Sequence, residues 1–182
     1  MALTYTPNDS LGMLCPDFKL PATDGNEYQL SDFSKFDVLC FLFICNHCPY
    51  VQAIEHRIIN LNKALEGKPI QILAICSNDA TEYPEDSFEN IKLNWQKKNY
   101  NFPYLYDESQ TVAKSFGAVC TPDIFVFNKD RKLTYRGRFD DSWKNPQQVT
   151  REELRTALFE TLENKPISFE PIPSMGCSIK WK

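Results

Sequence analysis

The chain reads as an α/β protein, and three observations say so. Val38 to Ile44 and Ile70 to Cys76 are continuous apolar runs, the pattern of strands buried on both faces. Between them Val51, Ile54, Ile58, Leu61 and Leu65 recur at steps of three and four, which predicts one face of a helix from Cys48 to Leu65. Strand, helix and strand in that order predict a right-handed parallel crossover.

The other elements follow in order. PDFKLPATDGNEYQLSDF predicts a short β-hairpin with Asp24-Gly25 at its turn. Pro49 suits the first turn of the long helix, and Gly67 and Pro69 end it. Asp86 to Lys98 is expected to be helical, with Phe88, Ile91 and Trp95 on one face. Tyr104 to Tyr106 makes a short strand, and Ser109 to Phe116 a short helix closed by Gly117. Ile124 to Phe127 and Leu133 to Arg138 form a hairpin around Asn128-Lys129-Asp130. Thr150 opens a last helix with Glu153 as its capping-box partner, and Pro166 stops it. From Pro166 to Lys182 three prolines and no helical period predict an extended tail, apolar enough at Met175, Ile179 and Trp181 to dock.

The 182 residues suit one domain, 1–182, with a core from about 16 to 162 and the tail from 166 to 182. A net charge of −4 argues against a nucleic-acid surface. No apolar run is long enough to span a bilayer, so no membrane partner is expected. MALTYTPNDSLGMLCPDF lacks the basic and apolar regions of a secretory signal, so the expected compartment is the cytoplasm. There the seven cysteines are expected as thiols, with any disulfide transient and catalytic. Cys15, Cys40 and Cys76 lie in or near apolar segments and are expected to pack.

Cys45 and Cys48 are different. They form C-x-x-C in FICNHCPY, where the buried strand turns into the long helix. Two thiols at that spacing can close a disulfide, and a helix start favours a thiolate. Two alternatives compete: packing as small hydrophobes, and half of a zinc site. Zinc needs two more ligands, and His56 is the only histidine besides His47.

PDFKLPATDG, YQLSDF, FICNHCP, TPDIFVF and RGRFDDS together resemble the thioredoxin superfamily, specifically redoxins related to the alkyl hydroperoxide reductase and thiol-specific antioxidant group. The resemblance runs from Pro16 to about Leu162. It implies a thioredoxin-like fold: a central mixed β-sheet flanked by helices, here with an N-terminal β-hairpin and an extended C-terminal tail. It also implies a cis-proline facing the reactive turn, which Thr121-Pro122 matches.

Three departures matter. The buried acid that thioredoxins carry six residues before the first reactive cysteine is Leu39 here. The glutamate that some relatives carry three residues after the second is Val51, so both proton-handling groups are missing. The dipeptide between the cysteines is Asn46-His47; a protonated His47 would favour the thiolate of Cys45.

The resemblance therefore implies a thiol–disulfide oxidoreductase without cofactor or metal. Cys45 attacks, Cys48 resolves, and Thr121 and Pro122 offer backbone hydrogen bonds to a substrate chain. Its substrates would be protein or small-molecule disulfides, and its reductant a thioredoxin or glutathione system. One rival is a peroxidase with Cys48 attacking peroxide, although the arginine that peroxiredoxins place at the cis-proline is absent. Arg136 or Arg138 could replace it only by pointing inward. A second rival is a Cu(I)-binding module using Cys45, Cys48 and His47 or His56. Cys120, two residues before Pro122, and Cys177 in the tail are expected as auxiliary thiols that exchange with each other or with the pair.

Overall fold

In the computed structural model, which describes residues 3–7 and 10–182, the two apolar runs become the centre of a five-stranded sheet. The strands in chain order are β1 (Leu3–Tyr5), β2 (Lys19–Pro21), β3 (Glu27–Gln29), β4 (Val38–Phe43), β5 (Ile70–Cys76), β6 (Tyr104–Tyr106), β7 (Cys120–Thr121), β8 (Asp123–Phe127), β9 (Leu133–Arg136) and β10 (Met175–Ser178). The helices are α1 (Pro49–Ala64), α2 (Phe88–Lys98), α3 (Thr111–Phe116) and α4 (Glu153–Leu162). The central order is β6-β5-β4-β8-β9, with β4, β5 and β6 parallel and β8 and β9 antiparallel. It is a mixed sheet with helices on its faces, as a thioredoxin-like fold requires.

Alternation along β4 divides the core. Val38, Cys40, Leu42 and Ile44 face a layer built by Val51, Ile54 and Ile58 of α1 and Leu154 and Leu158 of α4. Leu39, Phe41 and Phe43 face the other way, onto Phe18, Phe33 and Phe116. Phe116 is a hub there, 5.0 Å from Phe41 and 5.3 Å from Phe43 between ring centroids. Gly117 closes α3 at φ 66°, a left-handed position that suits glycine. Cys15, Cys40 and Cys76 are buried, and burial pushes all three thiols up, Cys15 to about 12.

Two expectations need correction. Asp86 does not begin α2; it ends a 3₁₀ turn at Pro84–Asp86, and Ser87 is the cap, accepting the Asn90 N–H at 3.3 Å. The capping box at Thr150 and Glu153 does not form. Thr150 instead bonds the Asp141 carboxylate, and Glu153 is held by Arg138 at 2.7 Å. A nearby acid and a half-buried arginine outcompete the local motif.

The tail is extended and docked, as expected, and it docks as a strand. Its residues Met175–Ser178 form β10, the middle strand of a second sheet in the order β1-β10-β7. Cys177 pairs with Thr121 and Ser178 with Cys120 on one side, and Leu3 to Tyr5 pair with Cys177 to Met175 on the other. The tail therefore lies along the segment that carries Pro122, whose bond to Thr121 is cis. Gly176 permits this approach: a Cβ there would sit 2.0 Å from the Thr121 carbonyl oxygen. Ser174 and Ile179 add hydrogen bonds to the carbonyls of Pro122 (2.7 Å) and Val119 (3.0 Å).

Gly176→Ala should lower unfolding stability by about 2–3 kcal/mol, as overpacking against fixed backbone does. Denaturant titration reads the midpoint shift, and an unshifted midpoint would mean that β10 does not press on Thr121 this closely.

Candidate active site

The reactive turn is built by three segments. Cys45 ends the loop after β4, Cys48 is the N-cap of α1, and Thr121-Pro122 faces both from β7. The spacing works because β4 must turn sharply into α1, and Pro49 at the first helical position needs no N–H partner. The two thiols hydrogen-bond each other. Cys45 Sγ lies 3.4 Å from Thr121 Oγ1, and Cys48 Sγ lies 3.0 Å from the Thr121 carbonyl oxygen. Both are nearly sealed: Cys45 is 2% exposed and Cys48 0%.

The charge settles on the unexpected sulfur. Cys48 is lowered to about 5, first by the hydrogen bond from Cys45. Burial opposes this, and the Thr121 hydroxyl and the backbone N–H groups of Cys177 and Val51 add to it. The Val51 N–H belongs to the first turn of α1, so the helix start acts on the second cysteine, not the first. Cys45 is pushed well above the ordinary thiol value, first because its proton is shared with Cys48, then by burial and by the charge of Asp86. The pair thus holds one proton between two sulfurs.

His47 does not play the expected part. Its Nδ1 lies 2.6 Å from Asp86 Oδ2 and 4.0 Å from Cys45 Sγ, so the imidazole is turned to the acid. That bond raises its pKa. Tyr83 stacks on the ring at 5.1 Å. Asp86 is fully buried and also accepts from Asn78 Nδ2 at 2.8 Å and the Asn46 N–H at 2.8 Å. Burial pushes its carboxyl up, but the bonds from His47, Asn78 and Asn46 outweigh that and hold it below the ordinary value.

Asp86 is the site residue that sequence reasoning missed. It supplies a buried acid beside the first cysteine from a different segment than thioredoxins use, so a proton-handling group is present after all. Nothing local marks it, since it sits among exposed acids in TEYPEDSFE.

Other expectations change with the geometry. Thr121 does face the thiols, but its strand edge is occupied by β10 and is not open to a substrate chain. Arg136 is buried against Asp123 at 2.8 Å, and Arg138 is bound to Glu153, so neither serves a bound peroxide at Cys48. Cys120 and Cys177 do not face each other. Cys177 lies opposite Thr121, and Cys120, one residue earlier, points to the other face, with its Sγ 3.5 Å from the Pro122 carbonyl. Cys177 faces the site, where its thiol hydrogen-bonds Cys48.

For a metal, Cys45, His47 and Asp86 bring their ligand atoms within 4.8 Å of one another. The Asp86 oxygens, however, already accept four hydrogen bonds. His56 is exposed on α1 and belongs to no such group among the described residues.

The family model for Redoxin matches residues 10–158. A search of the curated proteins finds no match. Among solved structures, an uncharacterized conserved protein from Geobacillus kaustophilus is 44% identical, with TM-score 0.94 over 100% of this chain and 97% of that one. A hypothetical protein from Sinorhizobium meliloti is 38% identical, with TM-score 0.94 over 98% of each chain. Peroxidoxin BcpB from Mycobacterium tuberculosis is 20% identical, with TM-score 0.63 over 85% of this chain and 97% of that one, a likeness of fold.

Two measurements check the electrostatics. The ultraviolet absorbance of the reduced protein should show a thiolate that titrates near 5, present in wild type and lost in Cys48→Ser; persistence in that variant would return the charge to Cys45. Asp86→Asn should lower stability by about 2–4 kcal/mol, because it leaves a half-buried imidazole without its ion partner and breaks the network centred on a buried carboxylate. The sign follows from the two shifts. His47 is raised, so its contribution is full below about 6.5 and fades as pH rises through the raised value. Asp86 is depressed, so its contribution is full above about 3.9 and is lost as pH falls through the lower value. The difference between wild type and Asp86→Asn should peak between those limits, and a flat difference would remove the ion pair from the argument.

Proposed function

The chain belongs to the Redoxin family, and on that premise we propose that it is a thiol–disulfide oxidoreductase in which Cys45 attacks and Cys48 resolves. The observation that carries the reading is the shared proton between two sulfurs at the start of α1. The two thiols are in hydrogen-bond contact, and the pair carries one negative charge near neutral pH.

The division of labour follows from position and charge together. Cys45 lies on the loop before the helix, and Cys48 is the cap of α1. Cys48 holds the charge and acts as its base. As the Cys45 sulfur attacks a substrate disulfide, its proton passes along the shared hydrogen bond to Cys48. The Thr121 carbonyl at 3.0 Å accepts a hydrogen bond from the thiol so formed. When Cys48 gives up that proton it attacks Cys45 Sγ and releases the reduced substrate. Protein or small-molecule disulfides are the proposed substrates, and a thioredoxin or glutathione system the proposed reductant.

The peroxidase reading keeps one observation in its favour, the low pKa of Cys48. Against it stands the engagement of Arg136 and Arg138 elsewhere.

Cys45→Ser should abolish turnover in a disulfide reductase assay, and Cys48→Ser should trap a mixed disulfide through Cys45. Trapping through Cys48 in Cys45→Ser, with peroxide consumption well above that of an ordinary thiol, would exchange the roles in favour of the peroxidase. His47→Pro should lower the reduction potential by tens of millivolts, on the order of 1–2 kcal/mol, because it removes the ring and the N–H that neutralise Asp86, whose bare charge then disfavours the thiolate of the reduced pair.

A further inference from the structure

Three thiols meet at this site, not two. Cys48 hydrogen-bonds Cys45 on one side and Cys177 on the other. Cys177 owes its place to the fold. It sits in β10 opposite Thr121, on the face that carries the Thr121 side chain toward Cys45. β10 is fixed there by β1 on its outer edge, by Ser174 on Pro122, and by the close passage of Gly176 over Thr121. Beyond it, the Lys180 N–H donates to Asn78 Oδ1 at 2.9 Å, and its carbonyl accepts from the Asp79 N–H at 2.8 Å. The last strand is thus held along its length while it brings a thiol against the middle sulfur of the set.

The strand also lies where a substrate strand would lie. An extended chain paired antiparallel with Thr121, bearing a cysteine directed at the start of α1, is the posture of a bound thiol substrate. Here the protein's own tail supplies it.

We propose that Cys177 is a third redox thiol, which takes the disulfide over from Cys45 by exchange at Cys48. The proposal rests on the oxidoreductase reading of the Cys45–Cys48 pair. The step balances within the protein. Starting from the Cys45–Cys48 disulfide, Cys177 Sγ gives up its proton and attacks Cys48 Sγ. The Cys48–Cys177 bond forms, the Cys45–Cys48 bond breaks, and Cys45 leaves as a thiolate that takes up one proton. One disulfide bond is conserved among the three sulfurs, so no external oxidant or reductant enters. The exchange frees the Cys45 thiol for a second substrate disulfide, and it ties the tail covalently to the start of α1. Cys177 is raised to about 11, first by burial and then by its bond to Cys48, so the attack begins at the moment its proton is removed.

Non-reducing peptide mapping of the full-length protein after stoichiometric diamide treatment tests this. Wild type should show both a Cys45–Cys48 and a Cys48–Cys177 bridge, the second growing as the first declines. Cys45→Ser, or Cys45→Ala should the serine misfold, should yield Cys48–Cys177 as its main bridge. Cys177→Ser should stop at Cys45–Cys48. Cys120→Ser, altered on the opposite face, should give the wild-type pattern. A Cys45–Cys48 bridge in wild type with no Cys177-linked peptide in any protein overturns the exchange and leaves the oxidoreductase reading intact. A Cys48–Cys177 bridge in the Cys45 variant, without any Cys45–Cys48 bridge in wild type, overturns the latter and keeps the contact between Cys48 and Cys177.

Discussion

The reactive turn depends on one buried carboxylate. Asp86 is sealed from water, yet it stays charged because four donors converge on it. Two of them are the backbone N–H groups of Asn46 and His47, the residues between the cysteines, so the carboxylate fixes the turn itself. A third is the His47 ring. The fourth is Asn78, whose own carbonyl oxygen accepts the Lys180 N–H. A single charge thereby joins the dithiol loop, the end of β5 and the C-terminal tail. Burying an unpaired carboxylate would cost several kcal/mol, so the donors and the acid require one another.

That arrangement explains why the charge in the dithiol falls on Cys48. Asp86 stands beside Cys45 and repels a negative charge there. Cys48 is on the far side, within reach of the first turn of α1 and of the β10 backbone. A histidine that might have favoured a thiolate at Cys45 is occupied by the acid instead. The same carboxylate therefore acts twice, by orienting the imidazole and by tilting the shared proton toward Cys45.

The parts of this molecule that local patterning specifies were legible in the sequence. β4, β5 and the apolar face of α1 follow from runs and spacings inside one element, and the C-x-x-C announces itself at the junction. Pro122 was legible only through the resemblance. What could not be read depends on pairings across the chain. β1 and β10 are short, and they meet although some 170 residues separate them along the chain. Their registers leave no period in either segment. Gly176 in an apolar tail was a faint sign of close backbone approach. Asp86 resembled an ordinary acid at a helix start. Thr150 and Glu153 matched a capping box until Asp141 and Arg138, distant in the chain, bound them first. In each case a tertiary partner displaced a local preference.

The closed edge at Thr121 sets a threshold on what can engage this site. Any partner that binds by adding its own strand there competes with β10, and its apparent affinity is scaled by the fraction of molecules in which β10 has opened. Each 1.4 kcal/mol holding that strand down weakens such a partner about tenfold. The hold on that edge is set by Ser174, which bonds the Pro122 carbonyl, by Gly176, which passes close over Thr121, and by Leu3, which pairs with Cys177.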